Sequence, residues 1–282
     1  MADDSLDTVP HGFFADSTDQ NMVGQREYDE SRVCVVISAR NEERTIRNAV
    51  RQAGQYAREV IVMDGRSSDA TAQLAREAGA SVYTDSAFGK GSAIRDSLTH
   101  SNAEVLVFMD ADGSHDAADI PRLARVILSG RAELCVGSRF SGGSDELSIS
   151  MGQLIRTIGN IAMNIAINRR WHVQLSDTLN GFRAVRRKIA LDIGLTENRH
   201  TIEQEMVMKC LRHGYRVANI ATHEYPRQFG ESHIRIWREW PMFMWCVVKN
   251  IAARDVPPAE PELQGARGIA NTALSDPLNK VG

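Results

Sequence analysis

The chain of 282 residues has little cysteine, little net charge and no long apolar run, and each shortage removes a class of protein. Its four cysteines, Cys34, Cys135, Cys210 and Cys246, lie far apart with no CxxC pair, so neither a disulfide framework nor structural zinc is expected. Two of them fall inside apolar runs, which fits reduced, buried thiols in a cytosolic protein. A formal net charge of −3 provides no global basic field, so nucleic acid is not an expected partner and any phosphate must be held by local clusters. No stretch reaches the roughly 18 consecutive apolar residues of a membrane span. The acidic start carries no apolar signal segment, and the expected location is the cytoplasm.

What is present centres on residues 104–112, EVLVFMDAD. Val105, Leu106, Val107, Phe108 and Met109 form a continuous apolar run, the pattern of a strand buried on both faces, and it stops at Asp110 and Asp112. Two carboxylates at the carboxyl end of a central strand lie where open α/β sheets bind ligands, and they offer hard oxygens to Mg²⁺ or Mn²⁺. A polar turn closing the strand is the alternative reading.

Around that strand, apolar runs alternate with helical patterns. Strand runs at 32–38, 59–63, 80–83 and 133–137 are interleaved with helical patterns at 45–57, from 70 to Gly79, from about 89 to 100, and at 118–128. Such alternation predicts right-handed βαβ crossovers and an α/β fold with a mainly parallel central sheet and flanking helices. In the second half the pattern predicts helices over 150–168 and 201–213, with an edge or antiparallel strand over 215–220. Residues 236–251 hold three of the four tryptophans, with Arg235, Arg238 and Lys249 close by. That composition suits a helix at a lipid interface, or equally a core or dimer helix. Residues 1–30 read as a flexible lead-in and 255–282 as a disordered tail.

Seven motifs, VVISARNEE at 35–43, VIVMDGRSSDAT at 60–71, GKGSA at 89–93, FMDADGSH at 108–115, VGSRFSGGS at 136–144, SDTLNGFRA at 176–184 and RQFGESHI at 227–234, follow one another in an order that resembles family 2 glycosyltransferases of the GT-A type. Within that family the chain most resembles the dolichol- or polyprenyl-phosphate hexose synthases. The resemblance implies a GT-A domain over about 31–235, with the aromatic, amphipathic helix 236–254 appended. A sugar nucleotidyltransferase is disfavoured because SARNEE stands where its glycine-rich loop would follow the first strand.

The resemblance also implies roles. Ala39, Asn41, Glu42, Asp64, Lys90, Asp110 and Ala111 would bind a nucleotide-sugar donor, a GDP- or UDP-hexose with mannose or glucose as the sugar. Asp110, Asp112 and Ser114 would hold Mg²⁺ or Mn²⁺, and Asp112, Asp177 and Glu205 would be catalytic. Arg139, Ser144, Arg156, Arg183, Arg227, Ser232 and His233 would surround the phosphate of a polyprenyl acceptor. A membrane surface and a second copy of the chain are further candidate partners. The common adjacent Asp pair of the family is here Asp64 and Gly65, which leaves guanine and uracil both open. Taken singly, Asp69 reads as a helix cap, Lys90 as a loop lysine and each arginine as a structural ion pair. Two other readings share the donor site: transfer to a soluble acceptor, such as a phosphorylated small molecule or a natural-product aglycone, and a nucleotide-sugar-binding protein without turnover.

Overall fold

The computed structural model describes residues 28–86, 89–144, 151–227 and 236–256, with the backbone alone for 151–156 and 236–239. Residues 1–27 of the lead-in 1–30, most of the tail 255–282, and Ser232 and His233 therefore lie outside the described residues. In chain order the main elements are β1 (Val33–Ala39), α1 (Ile46–Ala53), β2 (Glu59–Asp64), α2 (Thr71–Glu77), β3 (Ser81–Thr84), α3 (Lys90–Ser97), β4 (Val105–Asp110) and α4 (Ile120–Leu128). They continue with β5 (Leu134–Ser138), α5 (Arg139–Gly142), α6 (Met151–Trp171), β6 (Arg183–Arg186), α7 (Arg187–Asp192), α8 (Thr201–Arg212), β7 (Val217–Ala221) and α9 (Ile236–Ala252).

The strands form one sheet in the order β3-β2-β1-β4-β6-β5-β7. All neighbours are parallel except β6, which runs antiparallel between β4 and β5. Side chains alternate between two cores: Val105, Val107 and Met109 of β4 face one, Leu106 and Phe108 the other. The first half matches the apolar patterning. Ile46, Ala49, Val50 and Ala53 form the buried stripe of α1, as their spacing predicts. Gly79 ends the α2 segment at φ 101°, a value only glycine adopts without strain.

The second half differs from expectation in two places, at β6 and at the short helices α5 and α7. β6 falls in a stretch with no strand signal, because four residues, Arg183 to Arg186, are too few to show a period of two. β7 is the edge strand that the pattern allowed, and it runs parallel to β5. The short helices α5 and α7 were not expected at all.

The register decides where the chemistry collects. Ser38 pairs with Asp110 and Ala39 with Asp64, so the ends of β1, β2 and β4 finish level. Antiparallel β6 starts opposite Phe108 and Val136, which brings Asn180, Gly181 and Phe182 to the same edge. The end of β7 pairs Ala221 with Ser138 and leads Glu224 and Arg227 there as well.

α6 and α9 lie side by side and run the same way. A Cβ on Gly159 would sit 2.1 Å from the Trp240 ring, and Arg170 Nε donates to the Ile251 carbonyl at 3.3 Å. Cys246, Val247 and Asn250 of α9 are buried, while Met244, Trp245 and Val248, and Ile158, Ile161 and Ile165 of α6, are exposed. No described helix is long and apolar enough to cross a membrane.

Candidate active site

A cleft of about 650 Å³ opens along the carboxyl edge of the sheet, within the ~300–1,000 Å³ typical of ligand pockets. Its centre is a cluster of charges. Lys90 Nζ lies 2.6 Å from Asp110 Oδ1 and 2.7 Å from Glu203 Oε1. Burial alone would lower the lysine's pKa, but the two carboxylates overcome it and raise it above its ordinary value. Burial likewise pushes Asp110 up, and the charge of Lys90 reverses this and holds the carboxyl well below the usual range. Lys90 and Asp110 are thus held in their ionised forms by one another.

Three glycines make the cluster fit. Gly89 has φ 117°, and a Cβ on Gly91 would stand 2.5 Å from the Glu197 carbonyl. The glycines beside Lys90 therefore admit the chain's own segment 197–199, which places the start of α8, with His200 and Glu203, against the lysine. Gly181 forms the cradle floor: a Cβ there would lie 2.6 Å from Lys90 Nζ, 3.0 Å from Asp110 Oδ2 and 3.1 Å from Glu203 Oε1. Gly181→Ala is expected to reduce turnover by about a hundredfold, because about 1 Å of misplacement at a reacting centre costs that much. Steady-state kinetics, beside an unfolding curve that shows the variant folded, check this.

Asp112 is oriented from both sides. Its Oδ1 accepts from Ser114 N at 3.0 Å and Ser114 Oγ at 2.7 Å, and Arg227 Nε lies 3.2 Å from its Oδ2. His115 stacks on Phe182 at 4.9 Å, and its Nδ1 accepts from Asp110 N at 3.3 Å, which fixes the end of β4. Among the described residues no three His, Cys, Asp or Glu side chains group into a metal cage. Two carboxylates at an open cleft are nevertheless what Mg²⁺ takes when water and substrate phosphates complete its shell. The oxygen donors and the open cradle at Gly181 fit that kind of ion.

On the far side, Arg139 Nε and Nη2 donate to Asp177 at 2.7 and 3.2 Å, and its Nη1 is 3.7 Å from Glu224. Asp177, 1 % exposed, also accepts from the backbone of Leu179 and Asn180, so it holds Arg139 in place. Ser144 Oγ donates to Glu224 at 3.1 Å. At the opposite end Ala39, Asn41, Glu42 and Ala111 line the cleft. Asp64 is buried just behind, accepting from Ser67 N.

Of the expected residues, Asp64, Ser144 and Asp177 stand behind the cleft lining, and Arg183 and Glu205 are taken up by internal contacts. Arg183 is fully buried, with its guanidinium donating to the carbonyls of Asn180, Glu203 and Thr178. Glu205 is fully buried and accepts from Thr196, Glu197 N and Lys209. Burial raises the Glu205 pKa, but those donors, Lys209 first, hold it below its ordinary value. A lowered folded-state value means stability that is present above the unfolded carboxyl pKa of about 4.3 and is lost as pH falls through the folded value. Glu205→Gln is expected to lower the thermal midpoint at pH 7, by a margin that shrinks on acidification, while kcat stays within about threefold. Arg156 lies in α6 where only the backbone is described. Arg40, Arg66, His200, Glu203 and Glu224 line the cleft although sequence reasoning had not assigned them to it.

The model of the family described as Glycosyl transferase family 2 matches residues 34–194, more than half of the chain. The chain belongs to that family. It is thus a glycosyltransferase, and Glycosyltransferase AglJ of Haloferax volcanii is 33 % identical to it over 205 residues, 71 % of this chain and 65 % of that protein. The transferase therefore spans just under two thirds of that relative's length. Dolichyl-phosphate hexose transferase of the same organism is 28 % identical over 211 residues, covering 74 % of this transferase and 89 % of that protein. Among solved structures, glucosyl-3-phosphoglycerate synthase of Mycobacterium tuberculosis, in complex with Mn²⁺, UDP and phosphoglyceric acid, superposes with a TM-score of 0.64. It is 19 % identical over 80 % of each chain, a likeness of fold.

Proposed function

We propose that this transferase moves a hexose from a nucleoside diphosphate to a polyprenyl phosphate, with inversion at the anomeric carbon. The observation that carries the acceptor half is that Arg139 and Arg227 both line the cleft, each held by a buried carboxylate, Asp177 and Asp112. Guanidinium forks of this kind bind phosphate oxygens in pairs. A phosphate monoester has its second pKa near 6, so it attacks at neutral pH without a strong base. That suits a cleft whose carboxylates Asp110, Asp112, Glu203 and Glu224 are all engaged by cations or hydroxyls.

On this reading Asp110 and Asp112 hold the divalent ion, and Lys90 stands beside the leaving diphosphate. The ion, when bound, supplies charge neutralisation at that leaving group. Asn41, Glu42 and Asp64 hold the nucleoside end, and Asp177 orients Arg139. A lipid acceptor is supported by the exposed apolar faces of α6 and α9, whose first residues follow Ser144 and Arg227 by fewer than ten positions. Those faces would rest on the cytoplasmic membrane surface. The second reading keeps the site and takes a soluble phosphorylated acceptor; it is favoured by the mycobacterial fold relative, whose bound phosphoglyceric acid carries such a phosphate.

Arg227→Ala is expected to raise the acceptor KM about tenfold and leave the donor KM within about threefold. A change in donor KM alone would remove Arg227 from the acceptor phosphate.

A further inference from the structure

The nucleoside end of the cleft carries two arginines whose placement is unusual. Arg66 follows β2 with φ 57°, a left-handed conformation unfavourable for a residue with a side chain and commonly occupied by glycine. Arg40 follows β1, and its side chain lies over Gly65, where an added Cβ would meet Arg40 Cβ at 3.2 Å and Cδ at 3.5 Å. A side chain at position 65 would therefore require Arg40 to give way by a few tenths of an ångström. Both arginines are exposed, both line the cleft, and neither has a hydrogen bond or ion pair among the described residues.

The backbone beneath them is tied down. Asn41 N donates to Ser67 Oγ at 2.9 Å, Ser68 N donates to Asn41 Oδ1 at 2.8 Å, and Gly65 N donates to the Ala39 carbonyl at 2.8 Å. Ala70 N donates to Glu43 and Glu43 N to Asp69, each at 3.2 Å. These bonds join the β1–α1 and β2–α2 loops into one unit. They hold Arg66 in its left-handed conformation and set the two guanidiniums on one rim.

We infer that Arg40 and Arg66 select a guanine base in the nucleotide donor. The inference rests on the donor half of the proposed function and adds the base to it. Exposed guanidiniums carry only donors, so the groups they read are acceptors. Guanine offers two adjacent acceptors, O6 and N7, the pair an arginine fork binds best. Adenine presents N7 beside an amino group, which repels a guanidinium, and pyrimidines have no N7. Glu42, on the same rim, supplies a carboxylate for the N–H groups of guanine's other edge.

Calorimetric titration of the full chain with GDP, UDP and ADP, each with Mn²⁺, tests this without turnover. GDP is expected to bind at least about tenfold more tightly than either competitor. Arg66→Gly removes the guanidinium while relieving the backbone, so it is expected to fold; with Arg40→Ala it should bring GDP close to UDP and leave UDP unchanged. UDP binding as tightly as GDP overturns the inference and leaves the transferase reading intact. So does an equal loss for both nucleotides in the variants, which would place the arginines on the shared phosphates or ribose. If no diphosphate binds, the donor site falls, and this inference with it.

Discussion

Asp110→Ala and Asp112→Ala are each expected to lower kcat/KM by about three orders of magnitude at saturating Mn²⁺, a loss of roughly 4 kcal/mol of transition-state stabilisation. Asp110 serves two cations, Lys90 in the structure and the divalent ion in the proposed reaction, so its removal also leaves the lysine on Glu203 alone. Asp110→Asn separates these effects. It keeps the shape and loses the charge, so a loss close to that of alanine assigns the effect to electrostatics. Asp112→Ala additionally releases Ser114 and Arg227. Turnover of either alanine variant within a few-fold of the parent would dissociate the carboxylate pair from the chemistry.

The second large effect concerns Arg139. Arg139→Ala leaves the Asp177 carboxylate, 1 % exposed, without its cation, at a cost of about 3 kcal/mol in stability. The backbone donors of Leu179 and Asn180 keep the cost at that lower end. Arg139→Lys keeps a charge for Asp177 and loses the fork, so it is expected to stay folded and to raise the acceptor KM by at least about tenfold. Denaturant unfolding and acceptor-dependent kinetics on both variants check the pair of expectations. A lysine variant with unchanged acceptor KM would make Arg139 a purely structural partner of Asp177.

Much of the sheet edge formed by β1, β2 and β4 was legible in the sequence, and the reason is local. Parallel strands buried on both faces read as continuous apolar runs, so β1, β2 and β4 and the residues at their ends follow directly from the pattern. The opposite side of the cleft depends on contacts distant in sequence. β6 is too short to signal itself, and its insertion between β4 and β5 is what carries Gly181 to Lys90. Glu203 and Glu205 illustrate the limit. Two residues apart on a helix, they point about 200° from one another, so only one faces the cleft. Nothing in TIEQEM tells which until α8 is docked: Glu203 meets Lys90, and Glu205 ties down the loop at Thr196. Arg183 looked like the other motif arginines, yet three backbone carbonyls take its guanidinium. Nothing in GKGSA tells that the backbone meeting the glycines around Lys90 is segment 197–199.

The most direct test of the central claim is transfer from radiolabelled nucleotide hexoses to a short-chain polyprenyl phosphate with Mg²⁺ or Mn²⁺, scored by extraction of label into butanol. The account predicts metal-dependent label in the organic phase with one donor, abolished in Asp112→Ala. Metal-dependent release of free sugar with no extractable label would contradict the lipid acceptor and move the chemistry to a soluble phosphate.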